Sequence, residues 1–158
     1  MIESYIAIEG PIGVGKTSLA EIIADKLNTR KVLEKFKDNP FLEGFYDDPD
    51  ANAFQTQVFF LLQRYQQQQK EIRQLNALQK GVVTDYMFEK DRLFASFTLK
   101  SQAEDELYGH VADILEKDVV KPDLVVYLQA DTSRLMKNIK KRGREFEKDV
   151  TFDYIDVV

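Results

Sequence analysis

The 158-residue chain has no cysteine, no tryptophan and a single histidine. Without cysteine it can form neither a disulfide nor a thiolate metal site, which fits a reducing cytoplasm. No uninterrupted apolar run approaches the ~20 residues that a membrane span needs, so a membrane partner is not expected. The sequence passes directly from Met1 into a strand-like run, leaving no room for a signal or transit peptide. Positive charge is outnumbered, with 22 Lys and Arg against 27 Asp and Glu. The net charge of −5 argues against general nucleic-acid binding, which usually needs a basic face. A small polyanion could still be bound through local dipoles. The remaining composition, 44% hydrophobic and 31% charged, is that of an ordinary soluble domain with a real core. We therefore expect a single domain over residues 1–158, in the cytoplasm.

Apolar runs at Tyr5–Ile8, Lys31–Leu33, Gly81–Thr84 and Asp123–Leu128 read as strands. Helical stretches separate them, which predicts an α/β fold with a parallel sheet built from right-handed crossovers. Helices are expected at Ser18–Leu27, Phe41–Tyr46, Ala51–Gln79, Lys90–Thr98, Gln102–Val119 and from Thr132 to Arg142, with a further one starting near Thr151. The longest carries Phe54, Val58, Leu61, Leu62 and Tyr65 at three- and four-residue spacing. Its Gln66–Gln69 run is expected on a solvated or dimer-flanking face. His110 lies on a helical stretch with no evident partner and is assigned no role.

Between the first strand and the first helix stands Gly10-Pro11-Ile12-Gly13-Val14-Gly15-Lys16-Thr17, a full match to the phosphate-loop pattern G-x-x-x-x-G-K-[ST]. The glycines allow several backbone N–H groups to face one point, and the helix N-terminus, running on through Ser18, adds partial positive charge there. Lys16 would reach the outer phosphates of ATP and Thr17 would ligate Mg2+. The alternative is a glycine-rich turn that binds nothing, but the strand–loop–helix context favours the phosphate site.

Other polar residues suit the needs of phosphoryl transfer. Glu34 ends the second strand, at the sheet edge where ligands bind, and could take a proton from an acceptor hydroxyl. A surface Glu34–Lys35 pair is the competing account. Asp85 follows the third strand and offers the carboxylate oxygens that Mg2+ prefers, though aspartate is also a good helix N-cap. Arg142 and Arg144 flank Gly143 after a lysine-rich helix. They could close over phosphates as a lid, or could simply complement a helix dipole.

Taken together, these pieces resemble the deoxyribonucleoside kinases, especially the bacterial deoxyadenosine/deoxyguanosine kinase-like members. The resemblance is carried by Ile8–Thr17, by Glu34 with Asp38-Asn39-Pro40-Phe41-Leu42, and by Phe54–Gln57 with Arg64. It continues through Asp85-Tyr86, Lys90–Ala95 and Lys141–Arg144. It implies a three-layer P-loop kinase fold that transfers the γ-phosphate of ATP to the 5′-hydroxyl of a deoxynucleoside, here a purine one. Glu34 is then the group that activates the hydroxyl, and Gln57 and Asp91 face the base edge. Arg64 lies near the base, while Tyr46 and the lid residue Glu147 reach the sugar. Lys16, Arg142 and Arg144 act on the phosphates, and Thr17 and Asp85 hold the metal. A homodimer through long helices is also implied.

Three departures accompany the resemblance. Tyr86 follows the acidic residue where the family commonly has arginine, as it does in some bacterial relatives. Asn138 stands four residues before Arg142 where an arginine is frequent. The family normally continues past the lid, about 141–150, through another strand and helices, so a fold truncated at its C-terminus is expected. Two other readings remain at this point: a non-catalytic nucleotide-binding or assembly subunit, and a nucleoside monophosphate kinase of the thymidylate kinase type.

Overall fold

The computed structural model of the protein describes residues 3–144, Glu147 and residues 150–157. Strand β1 (Tyr5–Glu9) leads through the glycine loop into α1 (Lys16–Leu27), and β2 (Arg30–Val32) follows. Helices α2 (Leu42–Asp47), α3 (Pro49–Gln67) and α4 (Arg73–Ala77) precede β3 (Val82–Thr84). Then come α5 (Lys90–Thr98), α6 (Gln102–Leu115), β4 (Leu124–Tyr127), α7 (Thr132–Arg142) and α8 (Phe152–Val157). The four strands pair in the order β2-β3-β1-β4, all parallel. Ala7 is in register with Thr84 and Val125.

Alternation along β1 explains the layering. Tyr5 and Ala7 face one side of the sheet with Val32 and Val82, where Ile72 and Leu75 pack on them. Ile6 and Ile8 face the other side and meet Ala20 and Ala24 of α1. Both central faces are therefore covered, which is why β1 and β3 read as continuous apolar runs. The third core lies among α2, α3, α5 and α6, around Phe45, Leu61, Phe88 and Tyr108. On β4, at the sheet edge, Leu124, Val125 and Tyr127 are exposed. Among the described residues no strand follows β4 and no helix is long and apolar enough to cross a membrane.

Two expectations need correction. The long helix begins at Pro49, capped by Asp48, whose side chain accepts the Ala51 N–H at 3.2 Å. It is interrupted by a π turn at Gln68–Ile72 before α4. The extra residue lets one continuous rod serve two surfaces: Arg64 faces a cavity before the turn, and Ile72 packs on the sheet after it. The glutamine run is also not a solvated face as a whole. Gln67 and Gln68 are buried, and Gln67 Nε2 donates to the Leu33 carbonyl at 3.1 Å, tying the helix to the end of β2.

Candidate active site

The residues singled out by sequence converge at the C-terminal edge of the sheet, where parallel strands leave room for ligands. Glu9 ends β1, Glu34 lies just past β2, and Asp85 directly follows β3. A cavity of about 820 Å³ opens there, with the glycine loop on one side and α3 and α5 on the other.

The loop adopts the shape its glycines permit. Gly10 has φ +144° and Gly13 φ +82°. A Cβ at Gly10 would stand 2.4 Å from the Leu128 carbonyl oxygen, so only glycine fits. Lys16 Nζ donates to the carbonyls of Gly10 at 2.8 Å and Pro11 at 2.9 Å, folded back along the loop. Burial holds its pKa down at about 8, and facing Lys90 pushes the same way. Ile12, Gly13, Gly15, Lys16, Thr17 and Ser18 line the cavity. Val14 instead packs under the loop beside Leu135 and Ile139, and Pro11 lies on the outer side, near Tyr127. Asn138 supports the loop from α7 by donating to the Gly13 carbonyl at 2.8 Å.

Asp85 is no helix cap, since α5 begins only at Lys90. Its Oδ2 accepts the Thr17 hydroxyl at 2.5 Å, and its Oδ1 accepts the Glu34 N–H at 2.7 Å. Burial raises its pKa, against the lowering effect of those donors. A desolvated carboxylate and a hydroxyl in contact are oxygen donors suited to Mg2+, an ion usually held by a carboxylate or two together with substrate phosphates. Among the described residues no group of three or more acidic or histidine side chains forms a closed metal cage.

Glu34 is likewise not a surface partner of Lys35, which pairs with Glu71. It faces the cavity and forms an ion pair with Arg64, whose other nitrogen pairs with Asp91. Desolvation alone would raise the Glu34 pKa, but Arg64, Lys90 and Lys16 together outweigh it and hold the carboxyl below its ordinary value. Arg64 is itself buried, with its guanidinium 5.0 Å from the Phe60 ring centroid and 5.6 Å from that of Tyr86. Tyr86, the departure from the family pattern, is thus a fully buried wall beside Arg64. Asp91 Oδ2 and Arg64 Nε are buried without a hydrogen-bond partner, so polar capacity remains at this end of the cavity. Gln57 of α3 and Tyr46 of α2 line the same space.

Arg142 closes the last turn of α7, which Gly143 terminates at φ +63°. Its guanidinium grips the Glu147 carboxylate in a fork, with Nε at 2.7 Å from Oε2. Arg144 reaches Glu147 at 3.4 Å and lies over the Phe36 ring, 3.6 Å from its centroid. All three basic and acidic groups border the cavity. The expected lid, 141–150, falls partly on residues 145, 146, 148 and 149, which lie outside the described set. His110 does not line this cavity: its ring is exposed and lies 2.7 Å from the Glu106 carbonyl on its own helix.

Sequence reasoning assigned no role to Lys90, Phe36, Phe60 or Phe94, all of which line the cavity. For the aromatics no sequence signal existed, because a phenylalanine on a helix face suits a core and a ligand wall equally. Glu9 was also unassigned. Its carboxylate accepts the N–H groups of Gly10 at 3.1 Å and Met87 at 2.9 Å, clamping the start of the loop to the segment after β3.

Comparison with known proteins identifies the family. The family model described as deoxynucleoside kinase matches residues 6–158. The chain is 40% identical over 154 residues to the deoxyguanosine kinase of Bacillus subtilis, covering 96% of this chain and 73% of that one. It is 35% identical to the deoxyadenosine kinase of Dictyostelium discoideum, covering 96% of this chain and 62% of the relative. Among solved structures, deoxyadenosine kinase from M. mycoides with bound dATP superposes with a TM-score of 0.84 at 25% identity. That match covers 98% of this chain and 79% of the other. A parallel sheet edged by a phosphate loop, Glu34, Asp85 and Asp91, together with these matches, places the chain in the deoxynucleoside kinase family.

Proposed function

We propose that the chain transfers the γ-phosphate of ATP to the 5′-hydroxyl of a purine deoxynucleoside. The observation that carries this reading is that one cavity holds both the phosphate loop and the Glu34–Arg64–Asp91 array. The kinase names of the relatives, deoxyguanosine kinase and deoxyadenosine kinase, support a purine acceptor.

In this reading the loop N–H groups and Lys16 bind the donor phosphates, with Lys16 turning away from the Gly10 and Pro11 carbonyls to do so. Thr17 and Asp85 would hold Mg2+, which when bound neutralises phosphate charge. Glu34, kept ionised at neutral pH by its cationic neighbours, accepts the 5′-hydroxyl proton. Gln57 offers an amide donor and acceptor, and Asp91 a spare carboxylate oxygen, to the base edge. Arg64 fixes Asp91 and Glu34 relative to each other. Tyr46 and Glu147 contact the sugar, and Arg142 and Arg144 close the lid over the phosphates. Catalysis then comes mainly from positioning and charge neutralisation.

A monophosphate acceptor fits less well. The cation nearest the base-reading residues is Arg64, and both sides of its guanidinium are already matched by carboxylates. The reading extends to a cytoplasmic homodimer working in nucleotide salvage. Its interface is better sought at the exposed Leu93 and Phe97 of α5 and Leu107 and Ile114 of α6 than at the partly buried glutamine run. The test is γ-phosphate transfer from Mg-ATP to each of the four deoxynucleosides. Purine monophosphates are the expected products. Transfer to none, with ATP still bound, would replace this reading with that of a binding subunit.

A further inference from the structure

Among the described residues, two cations of the cavity wall, the exposed Lys141 and the mostly buried Lys90, have no chemical task in the mechanism above, and Lys90 is the more enclosed. It opens α5, and its side chain is 12% exposed. Its Nζ stands 3.5 Å from Glu9 Oε2, longer than a good hydrogen bond. That carboxylate is already supplied with N–H donors by Gly10 and Met87, so Glu9 does not need Lys90 for hydrogen bonding. The ammonium also lies 5.4 Å from the Phe94 ring centroid, against a wall of the same cavity.

What Lys90 faces is more informative. Its charge is felt by Lys16 of the phosphate loop and by Glu34 of the acceptor side, and all three line one cavity. Glu9 serves both ammoniums, and its own carboxylate stays committed to the Gly10 and Met87 N–H groups, so both cations keep capacity for a further anion in the cavity they line. Lys16 marks where donor phosphates bind, and Glu34 marks where the hydroxyl is activated. A cation sensed by both stands beside the path of the transferred group. The other cations of the cavity wall differ: Arg64 is engaged by Glu34 and Asp91, Arg142 and Arg144 by Glu147, and Lys141 is exposed to solvent.

We propose that Lys90 is a further catalytic residue, whose ammonium binds the non-bridging oxygens of the phosphoryl group as it passes from ATP to the acceptor hydroxyl. The inference rests on the kinase reading. In the step, the bond between the γ-phosphorus and the β,γ-bridging oxygen breaks, its electron pair leaving on ADP. The 5′-oxygen forms the new bond to phosphorus, and its proton goes to Glu34. Lys90 takes no part in that proton transfer.

The experiment compares wild type with Lys90→Met, Lys90→Arg and Lys90→Ala. At saturating ATP and deoxyguanosine, Lys90→Met lowers kcat about 10²-fold, the scale of losing one preorganised charge donor. Its deoxyguanosine dissociation constant by calorimetry stays within about threefold of wild type, since the interaction forms at the phosphate and not at the base. Lys90→Arg keeps most of the rate. Methylammonium restores part of the rate of Lys90→Ala while methanol does not, a response that a purely structural lysine would not give. A Lys90→Met kcat within about twofold of wild type overturns the proposal. A defect confined to nucleoside affinity, or the absence of amine rescue, overturns it as well. If the wild type phosphorylates no nucleoside, the kinase reading itself fails and takes this inference with it.

Discussion

Replacing Arg64 with methionine removes the one cation shared by Glu34 and Asp91, and the structure sets how much each carboxylate suffers. The Asp91 side chain is 1% exposed and cannot rehydrate, whereas that of Glu34 is 22% exposed and opens to the cavity. Removing one partner of a buried ion pair costs about 3–5 kcal/mol. The lost stacking against Phe60 and Tyr86 adds about 0.5–1 kcal/mol. Arg64→Met should therefore destabilise by about 4 kcal/mol, almost all of it through Asp91. Glu34→Gln should cost less than about 1 kcal/mol, because Arg64 keeps its buried partner and the glutamine meets solvent. Urea unfolding followed by far-UV circular dichroism measures both, provided the m-values agree. For a chain of this size the Arg64→Met loss corresponds to a Tm lower by about 8–16 °C. Pairing Arg64→Met with Asp91→Leu should recover much of the loss, since an apolar replacement leaves no buried charge behind. If Arg64→Met falls within about 1 kcal/mol of Glu34→Gln, the buried array does not hold this part of the fold together.

Other expectations follow from single sites. Lys16 has its folded pKa lowered to about 8, below its unfolded value, so its burial penalty applies below pH 8 and is relieved as pH rises through that value. Unfolding free energy of the ligand-free protein should gain a Lys16 contribution between about pH 8 and 10.4, and Lys16→Met should abolish that gain. Gly10→Ala must strain a φ of +144° and push the Leu128 carbonyl away, so it should lose at least about 1–3 kcal/mol and weaken ATP binding in the same preparation. Phe36→Ala removes the ring under Arg144, and steady-state kinetics should show a raised KM for ATP with nucleoside affinity unchanged.

How far the fold could be read from the residues depended on the range of the interaction. The strand–loop–helix at Tyr5–Leu27 was legible because its signals are local: an apolar run, three glycines and a helical period. The π turn at Gln68–Ile72 was not legible, because it answers to the sheet that Ile72 packs on and to the Leu33 carbonyl that Gln67 reaches. Asp85 suited a metal and a helix cap equally well in sequence. The pairing of β3 with β1 and β2 removes the cap alone, by setting Asp85 beside Thr17 and the Glu34 backbone and away from the start of α5. Glu34 was ambiguous for a similar reason, since Lys35 is its neighbour in sequence and Arg64 its neighbour in space. For the lid arginines, the structure puts Arg142 in the last turn of α7 and pairs both side chains with Glu147 at the cavity, a partner that neither account named. Lys90 escaped notice because a lysine in a first helical turn is ordinary until its burial is known.

The central claim is that Glu34 activates the acceptor while Gln57 and Asp91, the latter held by Arg64, meet the base. The most direct measurement is turnover and deoxyguanosine affinity for wild type and Glu34→Gln side by side, using ATP labelled at the γ-phosphate. The account predicts label in the 5′-monophosphate with wild type, and a loss of about 10²–10⁴ in turnover for the variant with its dissociation constant nearly unchanged. Equal turnover by the two proteins, or no labelled nucleotide from the wild type, would contradict it.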